Sequence, residues 1–135
     1  MSINVSRKHD LKVGQVVRVR DTAFVADVSV AEGGDDAGPS PHDLYDASLG
    51  ACKALTVMWY ATRKAIPVED IAVEVERDAT RERDGTYVLA TTLRVRGPLS
   101  DAQLRELLAV AEKCPLHKLM TTVTTTISTR MERMA

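Results

Sequence analysis

A long predicted helix, residues 40–65, constrains the fold of this chain more than any other stretch. The helix begins with a capping signature, because Ser40 can cap it, Pro41 suits its first position and Asp43 completes a capping box. A basic last turn suits the negative end of the helix dipole, and Pro67 prevents the helix from continuing. We therefore predict one long helix with well-defined ends.

The apolar side chains of this helix cover most of its circumference between Leu49 and Ala61 and do not form one stripe. A helix that is apolar on all sides is usually buried on all sides. A chain of 135 residues has difficulty covering such a helix alone, so we expect a homodimer in which a second copy covers it. A thiol, Cys52, lies near the middle of the helix. The apolar residues are Leu44, Ala47, Leu49, Ala51, Leu55, Val57, Met58 and Trp59.

Composition limits the broad class of the protein. The length predicts a single domain, residues 1–135, and a hydrophobic fraction of 44% with a charged fraction of 27% is ordinary for a globular protein. A net charge of −1 gives no reason to expect nucleic acid or a membrane as a partner. No apolar run reaches the roughly 20 residues of a membrane span, and the first residues lack the apolar core of a signal peptide. We therefore expect a cytoplasmic protein, in which two cysteines would not form a permanent structural disulfide.

Strand patterns flank the long helix on both sides. Residues 15–20 and 23–30 predict two strands joined by a tight turn. Residues 71–76 and 86–96 alternate with a period of two, and the Asp84-Gly85 turn signal between them predicts a hairpin. The β-branched run 121–130 predicts a final strand. The Gly-rich acidic residues 32–39 are interpreted as a flexible connector, because their spacing fits neither a phosphate loop nor a metal cage.

A second helix follows the hairpin. Ser100 caps it and Gln103 completes a capping box, while four apolar residues at helical spacing predict one buried stripe. Cys114 continues that stripe and should face the same core, and Pro115 either interrupts the helix or begins a short new one. The order of elements predicts an α+β fold with helices on one face of an antiparallel sheet. The stripe consists of Leu104, Leu107, Leu108 and Ala111.

Few residues in the chain could carry chemistry, and the two cysteines stand out. Composition alone favours two unreactive buried thiols. No CxxC motif is present, and Cys114 with His117 forms a pair without the further partners that a zinc site needs. The sequence also lacks GxSxG, GxGxxG and Walker motifs, so we expect neither a cofactor nor a metal.

The local settings of the two cysteines differ. Cys114 precedes a proline at the start of a new helical turn, where unpaired backbone N–H groups would favour a thiolate. Cys52 lies inside its helix and would need an arginine or another donor from elsewhere, such as the N-terminal strands. From the residues alone, either cysteine could be the nucleophile.

Two segments together resemble a known family. SPHDLYDASLGACKALTVMWYA, followed about sixty residues later by CPLHKLM, is similar to the OsmC/Ohr family of osmotically inducible protein C and organic hydroperoxide resistance proteins. The resemblance implies a cytoplasmic, intertwined homodimer of α+β subunits. It implies that a Cys52 thiolate attacks an organic hydroperoxide and that Cys114 resolves the resulting sulfenic acid as a disulfide. It also implies a dithiol reductant, a lipoyl group in the hydroperoxide-resistance branch.

The chain departs from the family pattern around the cysteine. The well-understood branch activates its cysteine with an arginine and with a glutamate ten residues earlier, where this chain has His42. Asp43 is adjacent but would face another way on the helix. Arg18 and Arg20 are both candidates for the arginine, which comes from the N-terminal part. The chain therefore looks more like the OsmC-like branch of the family.

Two functions follow from these observations. The first is a thiol-dependent peroxidase for organic hydroperoxides, with Cys52 as nucleophile and Cys114 as resolving thiol. The second is a dimeric binding or redox-sensing protein that holds a small apolar ligand without peroxide turnover. Consumption of cumene or t-butyl hydroperoxide with a dithiol donor distinguishes them.

Overall fold

The computed structural model describes residues 1–135 and has an α+β fold, which confirms the predicted class. Its residues divide into two compact units, 1–50 with 74–92 and 51–73 with 93–135. None of the three α-helices combines the length and apolar character that a transmembrane segment requires. The strands and α-helices are β1 (Ile3–Arg7), β2 (Gln15–Val19), β3 (Thr22–Ala26), α1 (Pro41–Lys64), β4 (Asp70–Asp78), β5 (Val88–Arg96), α2 (Asp101–Glu112) and α3 (Pro115–Thr121).

A three-stranded antiparallel sheet in the order β1-β2-β3 lies in the first unit. Val17 in the central strand is opposite both Val5 and Phe24. The predicted strand at 15–20 is confirmed, and the strand predicted at 23–30 is present but ends at Ala26. Arg20, in the turn between them, is in the left-handed region at φ 51°. Strand β1 was not predicted, and Val5 within it is 59% exposed. Backbone pairing with β2, more than burial, holds this strand in place.

The acidic loop after β3 is not the free connector that the sequence predicted. The carboxylate of Asp27, which is buried, accepts hydrogen bonds from three backbone N–H groups. These bonds, that of Val28 first, lower the pKa of Asp27. One buried carboxylate therefore fastens the loop at several points. The donors are Val28, Asp35 and Ala37.

The second unit has a core built from α1, α2 and the residues between and after them. Val57 and Ala61 of α1 pack with Leu107 and Ala111 of α2, and all four are almost fully buried. Further apolar side chains pack against this cluster, including two from strands β4 and β5. They are Tyr60, Val68, Ile71, Leu93 and Leu99.

The single chain leaves one side of α1 uncovered, as the length of the chain led us to expect. Leu55 is 71% exposed and Trp59 is 59% exposed. Val57 and Ala61 turn one face of the helix to the core, and at about 100° per residue Leu55 and Trp59 lie on the other side. One chain covers one face of the helix, and the homodimer that would cover the other stays a prediction.

The hairpin prediction is confirmed in its strands and refined in its turn. Burial alternates along β4 and β5 with a period of two, as the sequence indicated. The connection is longer than a tight turn, because a 3₁₀ turn at Glu82–Asp84 precedes Gly85, which has a φ of 90°. On the exposed side, the guanidinium of Arg96 lies 3.3 Å from the carboxylate of Asp70.

Helix α2 begins as predicted but buries fewer residues than predicted. Ser100 and Gln103 form the capping box. Leu107 is buried, whereas Leu104 is 41% exposed and Leu108 is 54% exposed. The single buried stripe is therefore wrong for these two leucines, which lie to the side of the line that Leu107 and Ala111 form.

The predicted final strand at 121–130 is wrong. Helix α3 extends to Thr121, and residues 124–135 have no regular secondary structure. The β-branched residues favour an extended chain, but a strand also needs a neighbour to pair its backbone groups. Ile127 is 80% exposed in this segment.

Candidate active site

Cys52 lies in the middle of α1 and is partly exposed. Its Sγ accepts a hydrogen bond from the backbone N–H of Leu116 at 3.5 Å. The hydroxyl of Thr56, one turn further along α1, lies 4.0 Å from the same sulfur. Cys52 therefore has a backbone donor from the first turn of α3 as well as a neighbour on its own helix.

Cys114 lies at the N-cap of α3 and is completely buried. Its extended backbone, with φ −62° and ψ 148°, allows Pro115 to take the first helical position. Its side chain makes no capping hydrogen bond. The expectation that the start of this helix would donate to Cys114 is therefore wrong, because the N–H of Leu116 donates to Cys52.

A buried lysine follows Cys52 directly. Lys53 is 3% exposed, and its Nζ donates to the carbonyl oxygen of Ala111 at 2.8 Å. The same Nζ lies 3.1 Å from Nδ1 of His117. His117 thus has a partner that the sequence did not indicate, the side-chain nitrogen of Lys53.

Sequence reasoning missed Lys53 because lysine is rarely buried. A signal was nevertheless present, since Lys53, Val57 and Ala61 recur every four residues and so share one face of a helix. The two apolar members of this series are among the most buried residues of the chain. The spacing alone places the lysine on the same helix face as these two residues, and the structure shows that this face is buried.

A separate polar network lies in the first unit. The carboxylate of Asp46, which is buried, accepts hydrogen bonds from Arg77 Nε at 2.5 Å and from the Tyr87 hydroxyl at 2.7 Å. Arg77 also donates to Asp43 at 2.6 Å. The backbone N–H of Ser40, followed by Arg77, lowers the pKa of Asp43 to about 2. Burial first, and then the Asp46 carboxylate, raises the pKa of Tyr87.

His42, at the position where the resembled family has a glutamate, is paired with a carboxylate. Its Nε2 lies 2.6 Å from Glu82. The ring of Tyr87 stands 6.0 Å from those of both His42 and Tyr45. These side chains form an open pocket of about 340 Å³, lined by Pro41, His42, Tyr45, Glu82 and Tyr87.

The two candidate arginines lie in the first unit. Arg18 is in β2, opposite Asn4 and Ala23. Arg20 is in the turn after β2, and its guanidinium donates to the sulfur of Met1 at 3.6 Å. The choice between them as an activating residue stays a prediction. No group of three or more His, Cys, Asp or Glu side chains is placed to share a metal ion.

Comparison with known protein families gives a match to this sequence. The family described as OsmC-like protein matches residues 33–129, which include both cysteines. The chain belongs to this family. A comparison with curated proteins gives no match. Membership confirms the resemblance.

Solved structures of the OsmC family share the fold at low sequence identity. An OsmC-like protein from Mycoplasma pneumoniae is 20% identical with a TM-score of 0.72, over 90% of this chain and 87% of that one. An organic hydroperoxide resistance protein from Legionella pneumophila is 20% identical with a TM-score of 0.63, over 90% of both chains. The organic hydroperoxide resistance protein OhrB of Bacillus subtilis is 22% identical with a TM-score of 0.58, over 90% and 92%.

Proposed function

We propose that this OsmC-family protein is a thiol-dependent peroxidase that reduces organic hydroperoxides. The Cys52 thiolate attacks the distal oxygen of ROOH, the O–O bond breaks, and the alkoxide leaves with a proton as the alcohol ROH. Cys52 becomes a sulfenic acid. The Cys114 thiol then attacks the sulfenic sulfur, forming the Cys52–Cys114 disulfide and releasing water.

The hydrogen bond from Leu116 to Cys52 is the observation that best supports this scheme. It brings the turn that begins at Cys114 to the sulfur of Cys52. The scheme further requires the two Cα atoms to lie within roughly 7 Å when the disulfide forms.

Exposure supports the assignment of roles to the two thiols. Cys52 is partly exposed, so a hydroperoxide can reach its sulfur. Cys114 is 0% exposed, so a hydroperoxide in solvent cannot reach its sulfur, whereas a sulfenic acid formed inside the protein can. This difference favours Cys52 as the nucleophile over the reverse assignment that sequence left open.

Substrate class, reductant and compartment follow from the proposed chemistry. The hydroperoxide-resistance proteins among its structural relatives support an organic hydroperoxide as substrate and a role in the oxidative stress response. A dithiol donor, lipoyl or similar, would reduce the disulfide by exchange. The cycle needs a compartment that keeps thiols reduced, which is the cytoplasm.

We also propose a homodimer. Leu55 and Trp59 form an exposed apolar face on α1, and Leu108 on α2 is also exposed. The unpaired segment 124–135 exposes Ile127 as well. A second copy that covered these side chains would remove a large apolar area from water.

The aromatic pocket in the first unit supports a second function. Its lining by Tyr45, Tyr87 and Pro41 suits a small apolar ligand. In that case the protein would bind or sense such a ligand, and the thiols would respond to oxidation without turnover.

Peroxide consumption separates the two functions. The purified protein, with dihydrolipoamide in excess, is given cumene hydroperoxide, and the loss of peroxide is followed over many equivalents. We expect multiple turnovers from the wild type and none from Cys52→Ser. A wild type that consumes at most one equivalent, and binds small aromatic ligands, would support the binding function instead.

A further inference from the structure

Lys53 is a buried cation that the proposed peroxidase cycle does not use. It directly follows Cys52, and only 3% of it is exposed. Burial of an ammonium is costly unless the group is well hydrogen-bonded. The acceptors of Lys53 are a carbonyl oxygen and an imidazole nitrogen, and neither is a carboxylate. Such an arrangement needs a reason other than general stability, since an apolar side chain would fill the same space at lower cost.

The two partners of Lys53 stand on either side of Cys114. Ala111 is at the end of α2, three residues before Cys114, and His117 is in the first turn of α3, three residues after it. The carbonyl oxygen of Ala111 accepts both from Lys53 Nζ at 2.8 Å and from the backbone N–H of Cys114 at 3.3 Å. The ammonium and the Cys114 backbone therefore meet at one oxygen.

A single side chain thus ties α1 to both ends of the Cys114 turn. The hydrogen bond to Ala111 holds the chain just before Cys114. The contact with His117 holds the first turn of α3, just after Cys114. Leu116, which donates to the sulfur of Cys52, lies in the sequence between the two residues that contact Lys53. Without the ammonium, the turn would be held on α1 by that one weak N–H to sulfur bond and by apolar packing.

We infer that Lys53 is a positioning residue for disulfide formation, holding the Cys114 turn against the helix that carries Cys52. The inference rests on the proposed function for its biological meaning, but its geometry concerns only the two thiols. In the cycle, Lys53 acts after the peroxide has reacted. The step it assists is attack of the Cys114 sulfur on the Cys52 sulfenic acid, which forms the S–S bond and releases water.

The two half-reactions of the cycle test this role. Lys53→Met keeps the length of the side chain and removes the ammonium, while Lys53→Arg keeps the charge and the donors. Lys113→Met is the matched control, because Lys113 is adjacent to Cys114 but exposed. Rapid mixing with one equivalent of cumene hydroperoxide, with acid quench and intact-mass detection, follows sulfenic acid and disulfide separately.

The expected result is a split between the steps. For Lys53→Met we expect sulfenic acid formation within about twofold of the wild type and disulfide formation slower by about tenfold or more, the scale of one lost charged hydrogen bond. Lys53→Arg should recover part of the rate, and Lys113→Met should behave as the wild type. Unchanged disulfide formation in Lys53→Met, or an equal fall of both steps, would overturn the inference.

An equilibrium measurement separates this inference from the peroxidase proposal. In a glutathione buffer, oxidised glutathione converts the protein dithiol to the disulfide and is itself reduced to two thiols, with no peroxide involved. The ratio of disulfide to dithiol should fall by about tenfold in Lys53→Met at fixed buffer and stay unchanged in Lys113→Met. This result would support the positioning role even if the wild type consumed no peroxide. A wild type that formed no Cys52–Cys114 disulfide here would overturn it.

His117 provides a second variant if Lys53→Met does not fold. His117→Leu removes the acceptor on the α3 side and leaves Lys53 its bond to Ala111. The glutathione ratio should then shift in the same direction by a smaller factor. His117→Gln, which offers an amide oxygen as acceptor, should lie closer to the wild type. Equal ratios of disulfide to dithiol for the wild type and His117→Leu would show that the contact between Lys53 and His117 does not help to position the Cys114 turn.

Discussion

The backbone N–H of Leu116 donates a hydrogen bond to the sulfur of Cys52 at 3.5 Å. The two residues are 64 positions apart in the sequence, and Leu116 follows the second cysteine by two positions. A backbone group cannot be changed by ordinary substitution of its side chain. The contact therefore depends on the fold of the Cys114-Pro115 turn and not on the identity of Leu116.

The two cysteines should separate into different roles when each is replaced. Cys52→Ser should abolish peroxide turnover, because a hydroxyl at neutral pH provides almost no anion for attack. Cys114→Ser should stop at the sulfenic acid after one equivalent, and only peroxide added beyond that equivalent should oxidise it to the sulfinic and sulfonic acids. Intact-mass measurement after one equivalent of cumene hydroperoxide checks both. If Cys52→Ser gains one oxygen and Cys114→Ser gains none, the roles are reversed.

Removal of the Leu116 N–H should slow the attack on peroxide. An ester in place of the peptide bond between Pro115 and Leu116 removes this donor and keeps every side chain. We expect the rate of sulfenic acid formation to fall by about tenfold, the scale of a hydrogen bond to a charged group. Leu116→Ala, which keeps the N–H, is the control and should react at nearly the wild-type rate. Equal rates for the ester and the wild type would show that the donor does not assist the thiolate.

Asp43 should make the stability of the protein depend on acid pH. Its pKa falls from 3.8 to about 2 through the Ser40 N–H and then Arg77, so the folded state prefers the carboxylate. The stability it contributes is present above about pH 4 and is lost as the pH falls toward 2. Asp43→Asn should cost about 0.5 kcal/mol at pH 7, since the side chain is half exposed. Urea unfolding at pH 7, 4 and 2.5 should show the gap between variant and wild type closing, and a constant gap would contradict the assignment.

The buried carboxylate of Asp46 should contribute more to the free energy of unfolding than that of Asp43. Asp46→Ala leaves Arg77 and the Tyr87 hydroxyl without their shared acceptor, and we expect a loss of about 2 kcal/mol in the free energy of unfolding. Tyr87→Phe removes one of these bonds and should cost about 1 kcal/mol. Denaturant unfolding of the two single variants and the double variant gives the coupling. Simple additivity of the two losses would show that the network is not cooperative.

The exposed face of α1 should mediate self-association. Leu55→Glu places a charge on a side chain that is 71% exposed in the single chain, so the fold should tolerate it while the dimer weakens. Ala102→Glu adds the same charge at an exposed position of α2, about 120° around that helix from Leu108, and serves as the control. Light scattering at micromolar concentration should give a dimer for the wild type and for Ala102→Glu and a smaller mass for Leu55→Glu. A stable folded monomer in the wild type would exclude the dimer.

Local patterns in the sequence predicted most of the fold. The capping residues at Ser40 and Ser100 and the period of two in the hairpin depend on neighbours close in the chain, so they could be recognised directly. The final strand could not, because β-branched residues specify an extended backbone without specifying a partner strand. The surface that covers Leu55, which is exposed in the single chain, could not be identified for the related reason that an apolar side chain does not indicate its partner.

The sequence indicated the two thiols of the candidate site, whose catalytic roles stay predictions, but it did not indicate their tertiary contacts. The motifs around Cys52 and Cys114 identified both residues, but no local pattern shows which sulfur a backbone N–H will reach. The N–H of Leu116 goes to Cys52 because of how α3 packs, which is a tertiary relationship. Lys53 was overlooked because the sequence did not distinguish the buried face of α1, which it shares with Val57 and Ala61, from the exposed one.

The complete burial of Cys114 makes this residue a natural reporter of breathing motions in the native protein. A thiol that solvent cannot reach reacts with an alkylating reagent only when the turn around it opens. When closing is faster than alkylation, the observed rate divided by that of an unfolded thiol equals the fraction of time the turn is open. With Cys52 replaced by serine, a labelling time course would give that fraction directly, and so the free energy of the local fluctuation that a disulfide exchange at this site must exploit.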